Sequence, residues 1–203
     1  MIKSYSQNNE QEIILEHLNN FNNGFAGKFI DIGAYDPFVF SNTRCLYERG
    51  WRGYFIEPSP TCYAKFKETY KNDTRVQAFN FAIGTHDGTV TFYDSCGDAV
   101  STTSIEHKVK WEQGANVTFT PIIVPCVAMQ KFLNEHGADC DFISIDTEGT
   151  NYQLFLLLPD AFLHRLKMIC IEHDGYNQHI EHKLKSFGFK TVLTNNENLI
   201  MVK

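Results

Sequence analysis

Residues 28–60, KFIDIGAYDPFVFSNTRCLYERGWRGYFIEPSP, constrain the fold of this chain more than any other stretch. Two short apolar runs, Phe29–Ile32 and Gly53–Ile56, each carry an acid: Asp31 inside the first and Glu57 at the end of the second. A glycine turn at Gly33 leaves the first run. A helix-sized segment opened by Ser41-Asn42-Thr43 and stopped by Gly50 leads into the second. Ser and Asn side chains satisfy the free N–H groups at a helix start, and glycine suits the left-handed residue that closes one. Strand, helix and strand in this order make a βαβ unit, which places the chain among α/β proteins with a parallel sheet.

The remaining patterns extend that sheet. Ile13, Ile14, Leu15, Leu18 and Phe21 recur at helical spacing ahead of Asn22-Asn23-Gly24. Tyr63, Phe66 and Tyr70 do so within 61–70, and further helices are expected over 127–136, 151–158, 160–166 and 179–187. Strands are expected at 75–81, 142–145, 168–172, 189–193 and 198–202, the last two forming an antiparallel edge hairpin around Asn195-Asn196. His86-Asp87-Gly88 signals a hairpin. Residues 89–93 and 117–124 should pair antiparallel as an insertion, with Pro121 and Pro125 placing the second at an edge. Residues 80–84 read as a turn. Residues 95–116 show no clear period and read as a long lid loop, with His107 and Trp111 as candidate acceptor contacts. At 203 residues the chain suits one domain, 1–203. Its expected parts include an N-terminal helical segment at 1–27 and a β-hairpin and lid insertion at 88–126.

Open α/β sheets bind ligands at the carboxyl ends of their strands, and an acid at the tip of the second strand commonly holds the two hydroxyls of a ribose. Asp31, Glu57, Asn80, Asp146 and His173 all fall at such ends. A dinucleotide turn needs G-x-G-x-x-G, whereas this one runs Gly33-Ala34-Tyr35-Asp36-Pro37-Phe38. A diphosphate would meet bulky side chains and the carboxylates of Asp31 and Asp36. A cationic adenosine ligand suits the same acids, which points to S-adenosylmethionine. The competing readings are a nicotinamide-dependent oxidoreductase, which the missing glycines disfavour, and a non-catalytic nucleoside-binding module, in which these acids only cap strands.

The formal net charge of −6 and pI near 5.7 argue against a nucleic-acid groove. Six cysteines without a C-x-x-C spacing read as reduced, packed thiols. A polar N-terminus and the lack of a run of about 18 apolar residues give no membrane segment and a cytoplasmic protein as the expectation.

The run FIDIGAYDP, followed by SNT, GWRG and IEPSP and later by FAIGTHDGTVTFY, DFISIDTEG and ICIEH, resembles the FkbM family of S-adenosylmethionine-dependent methyltransferases over nearly the whole chain. It departs at Pro37, where the family more often has glycine, a change that stiffens the loop. The resemblance implies a Rossmann-like class I methyltransferase fold, a mostly parallel seven-stranded sheet flanked by helices with an antiparallel edge hairpin and a small β-insertion. It implies that the turn at Asn80 and Ala82 lies against the adenine, and that the acceptor is a hydroxyl of a sugar, glycan or related small molecule. The expected cofactor set is Asp31, Gly33, Ala34, Tyr35, Ser41, Glu57, Pro58, Asn80, Ala82 and Asp146.

A protonated hydroxyl is a poor nucleophile, so a base is expected. His173, beside Glu172 at a strand end, is the first candidate, with Glu148 or Asp146 as the alternatives. Asp146, Glu148, His173 and Asp174 match no fixed ligand spacing, so no metal is expected.

Overall fold

The computed structural model describes residues 4–19 and 25–203. Its first half runs α1 (Glu10–Asn19), β1 (Lys28–Ile32), α2 (Arg44–Tyr47), β2 (Arg52–Ile56), α3 (Pro60–Thr69), β3 (Val76–Phe79), β4 (Ala82–Gly84), β5 (Gly88–Asp94) and α4 (Ile105–Ala115). The second half runs β6 (Thr120–Ala128), α5 (Met129–His136), β7 (Phe142–Ile145), α6 (Asn151–Leu156), α7 (Asp160–Arg165), β8 (Met168–Glu172), α8 (Asn177–Lys185), β9 (Lys190–Thr194) and β10 (Asn198–Val202). Phe21 and the expected helix stop at Asn22-Asn23-Gly24 lie outside the described residues.

Among the described residues, seven strands form one sheet in the order β3-β2-β1-β7-β8-β10-β9. The first five run parallel, and β10 pairs antiparallel with both β8 and β9, the expected edge hairpin. Side chains alternate across the sheet. Ile30, Ile32, Ile143, Ile145, Ile169 and Ile171 pack on one face against Phe155, Leu158 and Phe162. Phe29, Phe55, Phe142, Met168 and Cys170 pack on the other with Trp51, Phe66 and Ile14. Helices therefore cover both faces, which is why β7 and β8 are largely apolar, with Ser144 the polar position inside β7. Each fully buried side chain of this size contributes roughly 1.5–3 kcal/mol.

This alternation also places the acids. Asp31 shares the face of Phe29 and is buried beneath α2, whereas an apolar residue would otherwise stand there. Register places Ile32 beside both Ile56 and Ile145, and Ile145 beside Ile171. The residues that follow, Gly33, Glu57, Asp146 and Glu172, consequently share one rim of the sheet.

A second sheet has the order β4-β6-β5. β5 and β6 pair antiparallel from Gly88↔Cys126 to Asp94↔Thr120, while β4 reaches only Cys126–Ala128 of β6. Pro121 and Pro125 thus lie where β6 has a partner on one side only, as proline requires. Ala82, Phe92 and Val124 form a small core of their own. The expected turn at 80–84 carries β4 instead.

The larger difference lies in 95–116, where α4 replaces the second half of the expected loop. The Ser104 hydroxyl accepts the His107 N–H, Asn116 closes the helix at φ 55°, and Lys108 pairs with Glu112 one turn on. None of its side chains is buried, so it carries no apolar stripe for periodicity to detect. All six cysteines are unpaired, five of them buried, and Trp51 is a packed core residue. Among the described residues no helix is long and apolar enough to cross a membrane.

Candidate active site at the strand ends

The turn after β1 is tied to the end of β2. Gly33 N and Ala34 N both donate to Ile56 O, and Tyr35 N donates to Glu57 Oε2 at 2.8 Å. Gly33 adopts φ +81°, and a Cβ there would stand 1.6 Å from the Asp146 carbonyl oxygen, so only glycine fits between β1 and β7. Tyr35 at φ 53° and Glu148 at φ 57° also take the left-handed conformation, which costs an ordinary residue about 1–2 kcal/mol. Such outliers gather where the surrounding structure holds a site in shape.

These loops enclose a cleft of two lobes sharing Gly33, Tyr35, Ala99, Asp146 and Glu148. The larger lobe, about 560 Å³, has Glu57, Pro58 and Ser59 on one side and Ile32, Ala82, Ile83, Phe92 and Leu154 on the other. The smaller, about 450 Å³, is polar and includes Asp31, Ala34, Asn42 and Ser144.

Glu57 is 5% exposed and also accepts the Ser59 N–H, on Oε1 at 2.7 Å. Each carboxylate oxygen therefore holds one backbone N–H and keeps a lone pair. Burial pushes its pKa up to about 7 against the lowering effect of those two bonds. Asp31 is raised to about 6 by burial, although the hydroxyls of Thr43, at 2.5 Å from Oδ2, and Ser144 stabilise its charge. Asp146 is held well above the ordinary carboxylate range by burial first and then by Glu172 and Glu148. It donates a hydrogen bond to Glu172, itself raised to about 7 by burial and by Glu148 and Asp174. Asp146 Oδ1 has no hydrogen-bond partner in the protein. A buried, orphaned oxygen within a crowd of acids suits a ligand that brings donors and positive charge.

Several expected residues serve the site from behind. The Asn80 side-chain amide donates to the carbonyls of Glu57 and Pro58, clamping the loop after β2, and does not line the cleft. Ser41 accepts the Arg44 N–H at the start of α2 and is likewise off the cleft, whereas Ala82 and Pro58 line it. His173, the expected base, lines neither lobe. Its Nδ1 accepts the Gly175 N–H and its Nε2 lies 3.1 Å from the Asn195 carbonyl. With one ring nitrogen accepting and the other donating, the imidazole has no lone pair left for an acceptor's proton.

Further residues line or brace the walls. Asp98, Ala99, Ser101 and Thr103 come from the insertion ahead of α4. Asn151, fully buried, takes the Thr147 N–H on Oδ1 and donates to Glu172 Oε2, fastening the loop after β7 to the end of β8. His107 Nε2 lies 2.8 Å from Glu148 Oε2 and 2.5 Å from Trp111 Nε1. Among the described residues, no group of three or more His, Cys, Asp or Glu side chains is arranged to hold a metal ion.

Comparison with known proteins agrees with this architecture. The structure of methyltransferase FkbM from Methylobacillus flagellatus KT superposes with a TM-score of 0.58 at 11% identity, over 88% of this chain and 44% of that one. The chain therefore spans less than half of that protein's length. The precorrin-6y C5,15-methyltransferase from Geobacter metallireducens GS-15 gives a TM-score of 0.50 at 12% identity, over 100% and 92% of the two chains. The METTL16 MTase domain gives 0.52 at 11% identity, over 99% and 68%. At such identities the likeness is one of fold. No curated protein matches the sequence. The profile of the methyltransferase FkbM domain matches residues 31–191, most of the chain, and this protein belongs to that family.

Proposed function

We propose that the chain is an S-adenosylmethionine-dependent O-methyltransferase whose acceptor is a hydroxyl of a sugar, glycan or related small molecule. The observation that carries the cofactor reading is the Glu57 carboxylate, buried in the cleft with one lone pair free on each oxygen, opposite the crowd of acids around Asp146. Two ribose hydroxyls match the first feature, and a sulfonium with an ammonium matches the second. Gly33, Ala34 and Tyr35 shape the turn beneath the ligand, and Pro58, Ala82, Ile83 and Phe92 offer apolar walls to the base. Asp31 and Asp146 face the cationic end. Ser41 and Asn80 act by holding α2 and the loop after β2. The acceptor class rests on the family resemblance alone.

The cofactor supplies an electrophilic methyl group when bound. The protein's part is to align the acceptor and remove its proton, and most of the acceleration in such a displacement comes from positioning. Glu148 is the base in this reading, since it lines both lobes of the cleft. Its carbonyl accepts the Thr102 hydroxyl, which fixes the left-handed turn that presents the side chain. Asp146, held well above the ordinary carboxylate range by burial and by Glu172 and Glu148, orients rather than accepts in this reading.

Calorimetric titration with S-adenosylhomocysteine and, separately, NAD tests the reading. Binding of the first, lost in Glu57→Ala and absent for the second, is expected. Binding of NAD, or unchanged S-adenosylhomocysteine affinity in Glu57→Ala, would refute it.

A further inference from the structure

Part of the wall of the smaller lobe comes from a segment that lies ahead of the matched residues 31–191. Residues 4–10 form a strap held at both ends. The Tyr5 carbonyl accepts the Ser41 N–H at 3.0 Å, and the Tyr5 hydroxyl donates to Glu48. Farther along, Gln7 and Asn8 donate to Glu197, and buried Glu10 accepts from Asn195 and Asn198. The strap is thereby fastened to the turn between β9 and β10, and it carries Gln7 to the lobe. Gln7 gives one amide N–H to Glu197 and keeps the other.

Asn42 lines the same lobe. It directly follows Ser41, which the strap holds, and Thr43, next in the chain, is fixed to Asp31. Asn42 is 7% exposed, yet its side-chain amide has no hydrogen-bond partner among the described residues. An unpaired buried amide is costly, so one kept open beside a cleft leaves its donors to a ligand. The backbone N–H groups of Gly33, Ala34 and Tyr35 cannot serve, because Ile56 and Glu57 already take them. An amino-acid group brings both signs of charge. Asp31, Asp146 and Glu148 in this lobe suit its ammonium but repel its carboxylate, which needs N–H donors instead.

We propose that the amides of Asn42 and Gln7 receive the carboxylate at the amino-acid end of the donor, so that the strap makes the cleft selective for a donor that retains this group. The assignment rests on the methyl-donor reading of the cleft and adds to it what the strap and its two amides recognise.

Calorimetry with S-adenosylhomocysteine, its decarboxylated analogue and methylthioadenosine tests it. The parent should bind S-adenosylhomocysteine about tenfold more tightly than the decarboxylated analogue. Asn42→Ala should weaken S-adenosylhomocysteine about tenfold and erase that preference, and Gln7→Ala should weaken it about threefold. Methylthioadenosine keeps the ribose and base but lacks the amino-acid end, so it should bind parent and variants alike, which also reports that they fold. No preference of the parent for the carboxylate, unchanged S-adenosylhomocysteine affinity in either variant, or an equal loss with the decarboxylated analogue overturns the assignment. A parent that binds none of the three removes the donor reading beneath it instead.

Discussion

Glu57 makes the affinity of the cleft for a ribose dependent on pH in a calculable way. Its pKa, near 4.5 in an unfolded chain, is pushed up to about 7 by burial. Only the anion offers a free lone pair on both oxygens to two hydroxyls. The protonated fraction must be deprotonated on binding, which multiplies the dissociation constant by one plus the ratio of proton concentration to acid constant. At pH 5.5 that factor is about 30, or roughly 2 kcal/mol at 1.36 kcal/mol per pH unit, and at pH 8 it approaches one. Adenosine isolates the effect, because it has a ribose, no cationic end and no group titrating in that window. Its dissociation constant by calorimetry should therefore rise about 30-fold from pH 8 to 5.5. In Glu57→Gln binding should be weak and nearly level with pH. S-adenosylhomocysteine should show a steeper loss, since Asp31, at about 6, and Glu172, at about 7, also lose charge near the lobe assigned to its ammonium. A level profile for adenosine, or the same slope in Glu57→Gln, would refute the assignment of Glu57.

The same carboxyl bears on stability with the opposite sense. A carboxyl whose pKa is raised on folding stabilises the fold fully below its unfolded value and loses that contribution as pH rises through the folded one. Glu57 alone should make the ligand-free protein roughly 2 kcal/mol less stable at pH 8 than at pH 5.5. That is about 4–8 °C in calorimetric Tm for a chain of this size. Gly33→Ala should lower stability by more than about 3 kcal/mol in urea titration, because the left-handed residue and the Asp146 carbonyl must both give way. Preserved stability would show that the two strands can separate there without cost. His173→Ala should lower stability by about 1–3 kcal/mol through its two backbone bonds. In a methyl-transfer assay its kcat should escape the roughly 10²–10⁴-fold loss that removal of a general base brings.

How far the sequence could be read follows from which signals are local. Strands such as Phe142–Ile145 and Met168–Glu172 announce themselves because both faces are covered and nearly every position is apolar, and the acids at their ends mark the rim. Asp31 and Glu57 were visible for this reason, as was the glycine between them. Orientation was not visible. His173 sits at a strand end as expected, yet the carbonyl that occupies its Nε2 belongs to Asn195, 22 residues away in the hairpin turn. Asn80 likewise depends on how the loop after β2 folds back over 22 or 23 residues. Helix α4 escaped detection because it buries nothing, and the contact of His107 with Glu148 escaped with it, being set by how that helix lies across the loop after β7.

The small sheet of β4, β5 and β6 has a core of its own in Ala82, Phe92 and Val124, and joins the main-sheet cluster through Ile83 and Val127. Its connection to α4 lends Asp98, Ala99, Ser101 and Thr103 to the cleft wall, while Gly33, Glu57 and Asp146 hang from strands that share no ladder with it. Substitutions at 98–103 accordingly recut one wall of the cleft without touching the ladders from which its acids project.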